Sequence, residues 1–220
     1  MRIWHEGCES GLDEVALPLG APPRTELEVE IGFGKGRYLL AQAEAHPGVE
    51  FLGIESALEY YSLAGQRAAR RGLGNVTLVA GEALYLLATC LAPATARAVH
   101  VYFPDPWPKA RHQRRRLLGP ASVDLVLGLL RDGGRVFFAS DHQEYAAQVL
   151  GVLREHPAVE TVTRARPWPG GPRTNYEEKY EAEGRSIVRA EATRLAGSRV
   201  LRPELAVELA GGQLEEPTVK

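Results

Sequence analysis

The chain has 220 residues, with 26 Lys+Arg against 28 Asp+Glu, a formal net charge of -2 and 45% hydrophobic residues. These are globular values, and they exclude a disordered or fibrous chain and a surface coated in basic residues. No run approaches the ~18 apolar residues of a membrane span, Met1 to Asp13 lacks a basic-then-apolar leader pattern, and Cys8 and Cys90 cannot build a disulfide framework. A soluble, cytoplasmic protein is expected.

Strand and helix patterns alternate along the chain. Leu27 to Ile31 predicts a strand that runs into Gly32-Phe33-Gly34-Lys35-Gly36. Arg37 to Ala45 carries Leu39, Leu40 and Ala43 at helical spacing, with Pro47 just beyond. Phe51 to Ile54 is a strand ending at Glu55, and Ala57 to Arg71 a helix stopped by Gly72 and Gly74. Asn75 to Val79 predicts a strand, Glu82 to Leu91 a helix, and Arg97 to Phe103 a strand followed by a proline-rich loop. A helix over Leu117 to Leu130 and a turn at Asp132-Gly133-Gly134 precede a strand over Arg135 to Ala139. Glu144 to Arg154 is helical, Val159 to Thr163 a strand, Thr174 to Glu181 a short helix and Arg185 to Glu191 a last strand. Pro203-Glu204-Leu205 could begin a helix in the tail. The β-α-β order predicts an α/β fold, a doubly wound, mostly parallel sheet covered by helices on both faces in three layers. The expected organisation is an extension over 1–26, one domain over 27–194 and a tail over 195–220.

Ligands of such sheets sit beyond the carboxyl ends of the strands. The first loop there is glycine-rich, which allows a tight turn and close approach of a ligand to the backbone. A dinucleotide fold wants a third glycine one place later, where Arg37 stands, and no G-K-[ST] closes a P-loop. Acids follow four successive strands: Glu30, Glu55, Glu82 and Asp105. Any one of them alone reads as a loop carboxylate or a helix cap. Four in register point to the ligand edge, where Glu55 could accept ribose hydroxyls and Glu82 could meet an adenine amino group. Three prolines stiffen the backbone around Asp105 and Trp107 in Phe103-Pro104-Asp105-Pro106-Trp107-Pro108. Lys109, Arg111, Arg114, Arg115 and Arg116 follow at once, with His112 and Gln113 among them. Between Asp105 and Arg116, five cations stand against one acid in a chain of net -2. A basic face that binds phosphate, with Trp107 as a stacking surface, competes here with a merely solvated one. Thr174-x-x-Glu177 reads as a capping box. The scattered histidines make no metal set.

FPDPWPKARHQRRR, with EIGFGKG upstream and Ser140-Asp141 and Thr174-Asn175-Tyr176-Glu177 downstream, resembles the tRNA (guanine-N7-)-methyltransferase family over roughly Glu28 to Gly184. That resemblance implies a Rossmann-like methyltransferase fold, S-adenosylmethionine as cofactor and methylation of guanosine 46 in tRNA. It implies that Glu30, Gly32, Gly34, Gly36, Glu55, Glu82 and Asp105 bind the cofactor, with Asp105 also catalytic. It implies substrate contacts by Lys109, Asp141, Thr174, Asn175, Tyr176 and Glu177, and RNA contacts by Arg111, His112, Gln113, Arg114, Arg115 and Arg116. No metal and no membrane partner are expected, and the molecule would be a monomer or homodimer. Two positions depart from the family pattern, Glu82 for Asp and Ser140 for Thr. A small-molecule methyltransferase and a non-catalytic RNA-binding subunit on the same fold are the alternatives; neither accounts for both the acids and the arginine run.

Overall fold

The computed structural model describes residues 2–5, 26–120, 122–164 and 167–200. One eight-stranded sheet organises them, in the order β1-β4-β3-β2-β5-β6-β8-β7. Its strands are β1 (Arg2–His5), β2 (Glu26–Ile31), β3 (Val49–Glu55), β4 (Val76–Ala80), β5 (Ala96–Tyr102), β6 (Leu130–Ser140), β7 (Val159–Arg164) and β8 (Val188–Arg194). All neighbours run parallel except β8, which is antiparallel to both β6 and β7.

Six helices link the strands: α1 (Arg37–Ala45), α2 (Leu58–Arg70), α3 (Ala83–Thr89), α4 (Val123–Leu129), α5 (Gln143–Glu155) and α6 (Asn175–Ala182). Side chains alternate across each strand, so one sequence feeds two cores. Val29, Ile31, Leu52 and Ile54 join α3, α4 and α5 on one face. Phe51, Val76 and Leu78 join α1 and α2 on the other. Ala98, Tyr102 and Phe137 meet Tyr38 and Trp168 in a third cluster. The three-layer, mostly parallel architecture is the expected one. Among the described residues no helix is long and apolar enough to cross a membrane.

Four elements differ from expectation. The strand Arg2–His5, inside the expected extension, pairs in parallel with β4, Arg2 opposite Thr77. Helix α4 begins at Val123 rather than Leu117. Pro120 lacks an N–H and Gly119 favours a turn, and the Ser122 hydroxyl accepts the Gly119 amide at 2.9 Å. The expected turn at Asp132-Gly133-Gly134 lies inside β6, where Leu130 and Arg135 oppose Ala96 and Ala98. The extra residues form a bulge, and a Cβ on Gly134 would stand 2.8 Å from the Arg131 carbonyl oxygen. Strand β8 starts at Val188 because Gly184, at φ 67, and Arg185 close α6, the Arg185 amide donating to Tyr180 O at 2.9 Å. The tail expectation at Pro203 lies outside the described residues.

Candidate functional site

The glycine loop is built from the backbone. Gly32, Gly34 and Gly36 all have positive φ, 71°, 52° and 72°, a region L side chains rarely enter. The Gly32 amide donates to Ile54 O at 2.8 Å and the Gly34 amide to Glu55 Oε2 at 2.8 Å. Gly36 opens α1, and a Cβ there would lie 3.1 Å from the Cβ of Ala64. Below the loop, a Cβ on Gly53 would come within 2.5 Å of Leu39 and 2.6 Å of Phe33. Gly53 is thus a supporting residue that the sequence reading did not single out.

The four acids stand in different environments. Glu30 is 2% exposed at the end of β2, and its Oε2 has no hydrogen-bond partner. Burial pushes its pKa up to about 8, against a backbone hydrogen bond from Leu39, with the Glu55 charge adding to the rise. Glu55 accepts the Gly34 amide on one oxygen and the Ala57 amide on the other, at 3.0 Å. One lone pair on each oxygen is left over. Glu82 is exposed and caps α3 by accepting the Tyr85 amide at 2.7 Å. Its turn is tied to the third strand, since the Gly81 amide donates to Glu55 O at 3.0 Å. Asp105 is exposed beyond β5.

The proline loop around Asp105 is held under strain. Phe103 and Trp107 have φ of 51° and 40°, a cost of about 1–3 kcal/mol each that surrounding structure must offset. The Phe103 amide donates to Ala139 O at 2.7 Å. Arg116 supplies the second anchor. Its Nε donates to Pro106 O at 2.8 Å, its Nη atoms to Glu144 Oε1 at 3.1 Å and to Gln148, and its guanidinium lies 5.0 Å over the Tyr145 ring. Arg116 is 3% exposed. Its donors are engaged by Pro106, Glu144 and Gln148, so within the protein it positions the proline loop.

The rest of the basic segment is a 3₁₀-helix over Ala110–Arg115, entered from Lys109. Its period of three stacks residues i and i+3. His112 meets the Trp107 ring edge-on at 5.8 Å and Arg115 covers it at 5.2 Å. Gln113 donates to Glu144 at 3.3 Å on the row that ends in Arg116. Arg111 and Arg114 form the outward row, and with Arg115 and Lys109 they are exposed. The face of Trp107 that sequence offered for stacking is therefore shared with Arg115.

Helix α6 carries the remaining predicted residues. Thr174 Oγ1 accepts the Glu177 amide at 3.0 Å, as a capping residue should. Glu177 is 0% exposed, and reaches back one residue further than an ideal box, accepting the Arg173 amide at 2.8 Å. Its other oxygen accepts Arg189 Nε at 2.6 Å. Within the protein Glu177 fixes the helix start. Tyr176 is 50% exposed. Asn175 Oδ1 accepts from Arg37 Nη1 at 3.3 Å, and Arg37 also pairs with Glu178. The residue that breaks the dinucleotide spacing thus ties α6 to the glycine loop. Asp141 accepts Arg185 Nη1 at 3.1 Å, and the Arg185 guanidinium lies 4.3 Å over Tyr180.

Under the site, the Arg173 guanidinium sits 4.1 Å from the Trp168 ring centroid and 4.9 Å from that of Phe137, and it donates to Tyr102 Oη. Tyr102 Oη lies 2.9 Å from His100 Nδ1, and His100 Nε2 lies 2.9 Å from Glu28 Oε2. The sequence alone assigns no site role to Arg37, Arg173 and Arg185, whose partners Asn175, Tyr102 and Asp141 lie 138, 71 and 44 residues away in the chain. Among the described residues no group of three His, Cys, Asp or Glu could hold a metal ion.

Residues 24–190 match a family model described as "Putative methyltransferase". The chain is 37% identical to a tRNA (guanine-N(7)-)-methyltransferase of Nitrosococcus oceani, over 84% of this chain and 79% of that one. It is 36% identical to the enzyme of the same description from Treponema pallidum, over 80% and 70%. Among solved structures, a SAM-dependent O-methyltransferase from Thermotoga maritima aligns with a TM-score of 0.54 at 17% identity, covering 79% of this chain and 61% of that one. An rRNA methylase from Streptococcus thermophilus aligns with a TM-score of 0.54 at 15% identity, covering 78% and 87%. At those identities the solved structures share the fold.

Proposed function

The chain belongs to the tRNA (guanine-N(7)-)-methyltransferase family, and from that premise we propose that it transfers a methyl group from S-adenosylmethionine to N7 of guanosine in tRNA, at position 46. The observation that carries this reading is a juxtaposition. A strained loop bearing Asp105 lies at the same sheet edge as the glycine cradle, with an outward row of arginines beside it.

The donor's fit rests on the residues present. The orphaned, buried Oε2 of Glu30 suits an ammonium group, and Glu55 keeps acceptor capacity for vicinal hydroxyls. Glu30, Gly32, Gly34, Gly36, Glu55 and Glu82 would hold it, and its sulfonium supplies an activated methyl. Guanine N7 carries an in-plane lone pair and no proton, so Asp105 need not act as a base. Its work is to orient the purine and to face the positive charge that develops on it. Asp141 and Lys109 touch the base or its neighbours. Arg111 and Arg114 grip backbone phosphates, which gives affinity rather than base choice. The protein acts in the cytoplasm, as a monomer or homodimer.

Tritiated methyl transfer to unmodified tRNA, followed by nuclease digestion, tests the reading. The expected product nucleoside is 7-methylguanosine. Label in another nucleoside, or none, would overturn it.

A further inference from the structure

The reaction changes the charge of its target. As the carbon–sulfur bond breaks, the N7 lone pair forms the new carbon–nitrogen bond, the sulfur keeps the bonding electrons, and the positive charge passes to the purine. A surface that prefers a cationic ring to a neutral one therefore favours the transition state over the ground state.

Such a surface stands between the two halves of the site. Among the described residues the exposed large hydrophobic side chains are Leu58, Tyr85, Tyr176 and Leu195. Tyr176 alone of these joins a row of rings: its centroid is 6.4 Å from Phe103 and 5.9 Å from Tyr180. Tyr176 and Tyr180 share a helix face through their four-residue spacing. Phe103, 5.5 Å from Tyr180, sits two residues before Asp105 at a strained φ of 51°. Burial raises the pKa of the Tyr176 hydroxyl, and the neighbouring Tyr60 of α2 and the charges of Asp105 and Glu55 add to the rise. Its neighbour Asn175 accepts from Arg37 at the start of α1, and Phe103 precedes Asp105 by two residues, so the ring stands between the glycine loop and the loop that carries Asp105. An aromatic ring half exposed at such a point buries apolar area only when something flat covers it.

We propose that Tyr176, backed by Phe103 and Tyr180, is the stacking platform for the target purine, and that it holds the methylated, cationic purine more tightly than the neutral one. The proposal rests on the reading of the previous section and adds a subsite and a charge preference to it. Asp105 faces the same charge through space, so ring and carboxylate act together on the purine.

The test uses the full chain and the variants Tyr176→Leu and Tyr176→Phe. Leucine keeps an apolar side chain and loses the π face; phenylalanine keeps the face and loses only the hydroxyl. In Tyr176→Leu, kcat/KM for tRNA should fall about tenfold, a typical loss for one base stack. Tyr176→Phe should recover most of that loss, and S-adenosylmethionine affinity by calorimetry should stay within about twofold in both. Guanosine 5′-monophosphate and its 7-methyl form are then titrated against the wild type, where the cation should bind at least about threefold tighter. Tyr176→Leu should lose that preference. Wild-type tRNA kinetics in Tyr176→Leu, an equal loss in both variants, or no preference for the methylated nucleotide would overturn the platform. If the wild type yields no 7-methylguanosine in tRNA, the functional reading fails by itself. The nucleotide pair still decides the platform: a preference that Tyr176→Leu abolishes upholds it, and equal or absent binding rejects it.

Discussion

The two halves of the site are held by different means. The cradle half is backbone: three glycines at positive φ, amides donated to Ile54 and Glu55, and a floor where Gly53 leaves room for Phe33. The other half is held by arginine forks. Arg116 clamps the proline loop, Arg37 ties α6 to the glycine loop, Arg173 fills an aromatic cage and Arg185 holds Asp141. A small, invariant ligand suits a rigid backbone cradle. A large polyanion suits the exposed cations beside the clamped proline loop, Lys109, Arg111, Arg114 and Arg115, which can meet phosphates at low cost to the fold. Perturbing the first half should damage the fold or donor binding; perturbing the second should damage RNA binding and alignment.

The largest expected effect breaks the alignment. Asp105→Asn should lower kcat about 100-fold, the size of a lost charge-stabilising group, while tRNA affinity by filter binding changes little. Unchanged turnover and unchanged donor binding together would remove Asp105 from the chemistry.

Next comes Glu30. In the folded protein it keeps its proton up to about pH 8, whereas the unfolded chain releases it near 4.5. The folded state therefore holds more protons between those values, and stability should fall as pH rises through that window. Glu30→Gln should flatten this slope in thermal melts between pH 5 and 9 and weaken donor binding. An unchanged slope would show that the burial of Glu30 does not set it.

Gly53→Ala tests the floor of the cradle. The new methyl meets Leu39 and Phe33 at 2.5 and 2.6 Å, and overpacking of this kind costs about 1–3 kcal/mol. The midpoint of denaturation should drop, with donor affinity falling in step. A smaller effect is expected from Arg111→Ala with Arg114→Ala. These remove the outward row and should reduce the salt dependence of tRNA binding by roughly two phosphate contacts. Arg115→Ala should alter that slope less, because Arg115 lies over Trp107. Equal slopes for the two constructions would erase the three-row reading of the segment. The smallest effect belongs to Arg37→Ala. An exposed ion pair contributes about 0.2–1 kcal/mol, so the fold should hold while the KM for tRNA rises a few-fold.

Much of this division was legible in the sequence. Parallel strands buried on both faces read as short apolar runs, such as Val76 to Ala80, and end where a glycine or an acid appears. Helix α1 has the bounds its periodicity predicts. Legibility fails where a residue's partner is distant in the chain. Nothing near Arg116 announces Glu144 or Gln148, and nothing near Glu177 says that Arg189 will bury it. A charged residue reads as surface until its counter-ion is located. The basic segment was read as one face, but a 3₁₀ period divides it into three rows with different neighbours. Strand β1 was missed because four mixed residues with a single partner strand carry too little periodicity to read.

That short strand has a consequence in time. Arg2 pairs with Thr77, and His5 with Ala80. During synthesis this strand is made before its partner β4, and it must therefore wait for it while β2, α1, β3 and α2 emerge. Parallel pairing across so long a stretch of chain is slow to form, because the loop must close before any contact rewards it. The outer edge of the sheet is thus sealed late. Until then β4 presents an open row of amides and carbonyls to whatever nascent chain lies nearby.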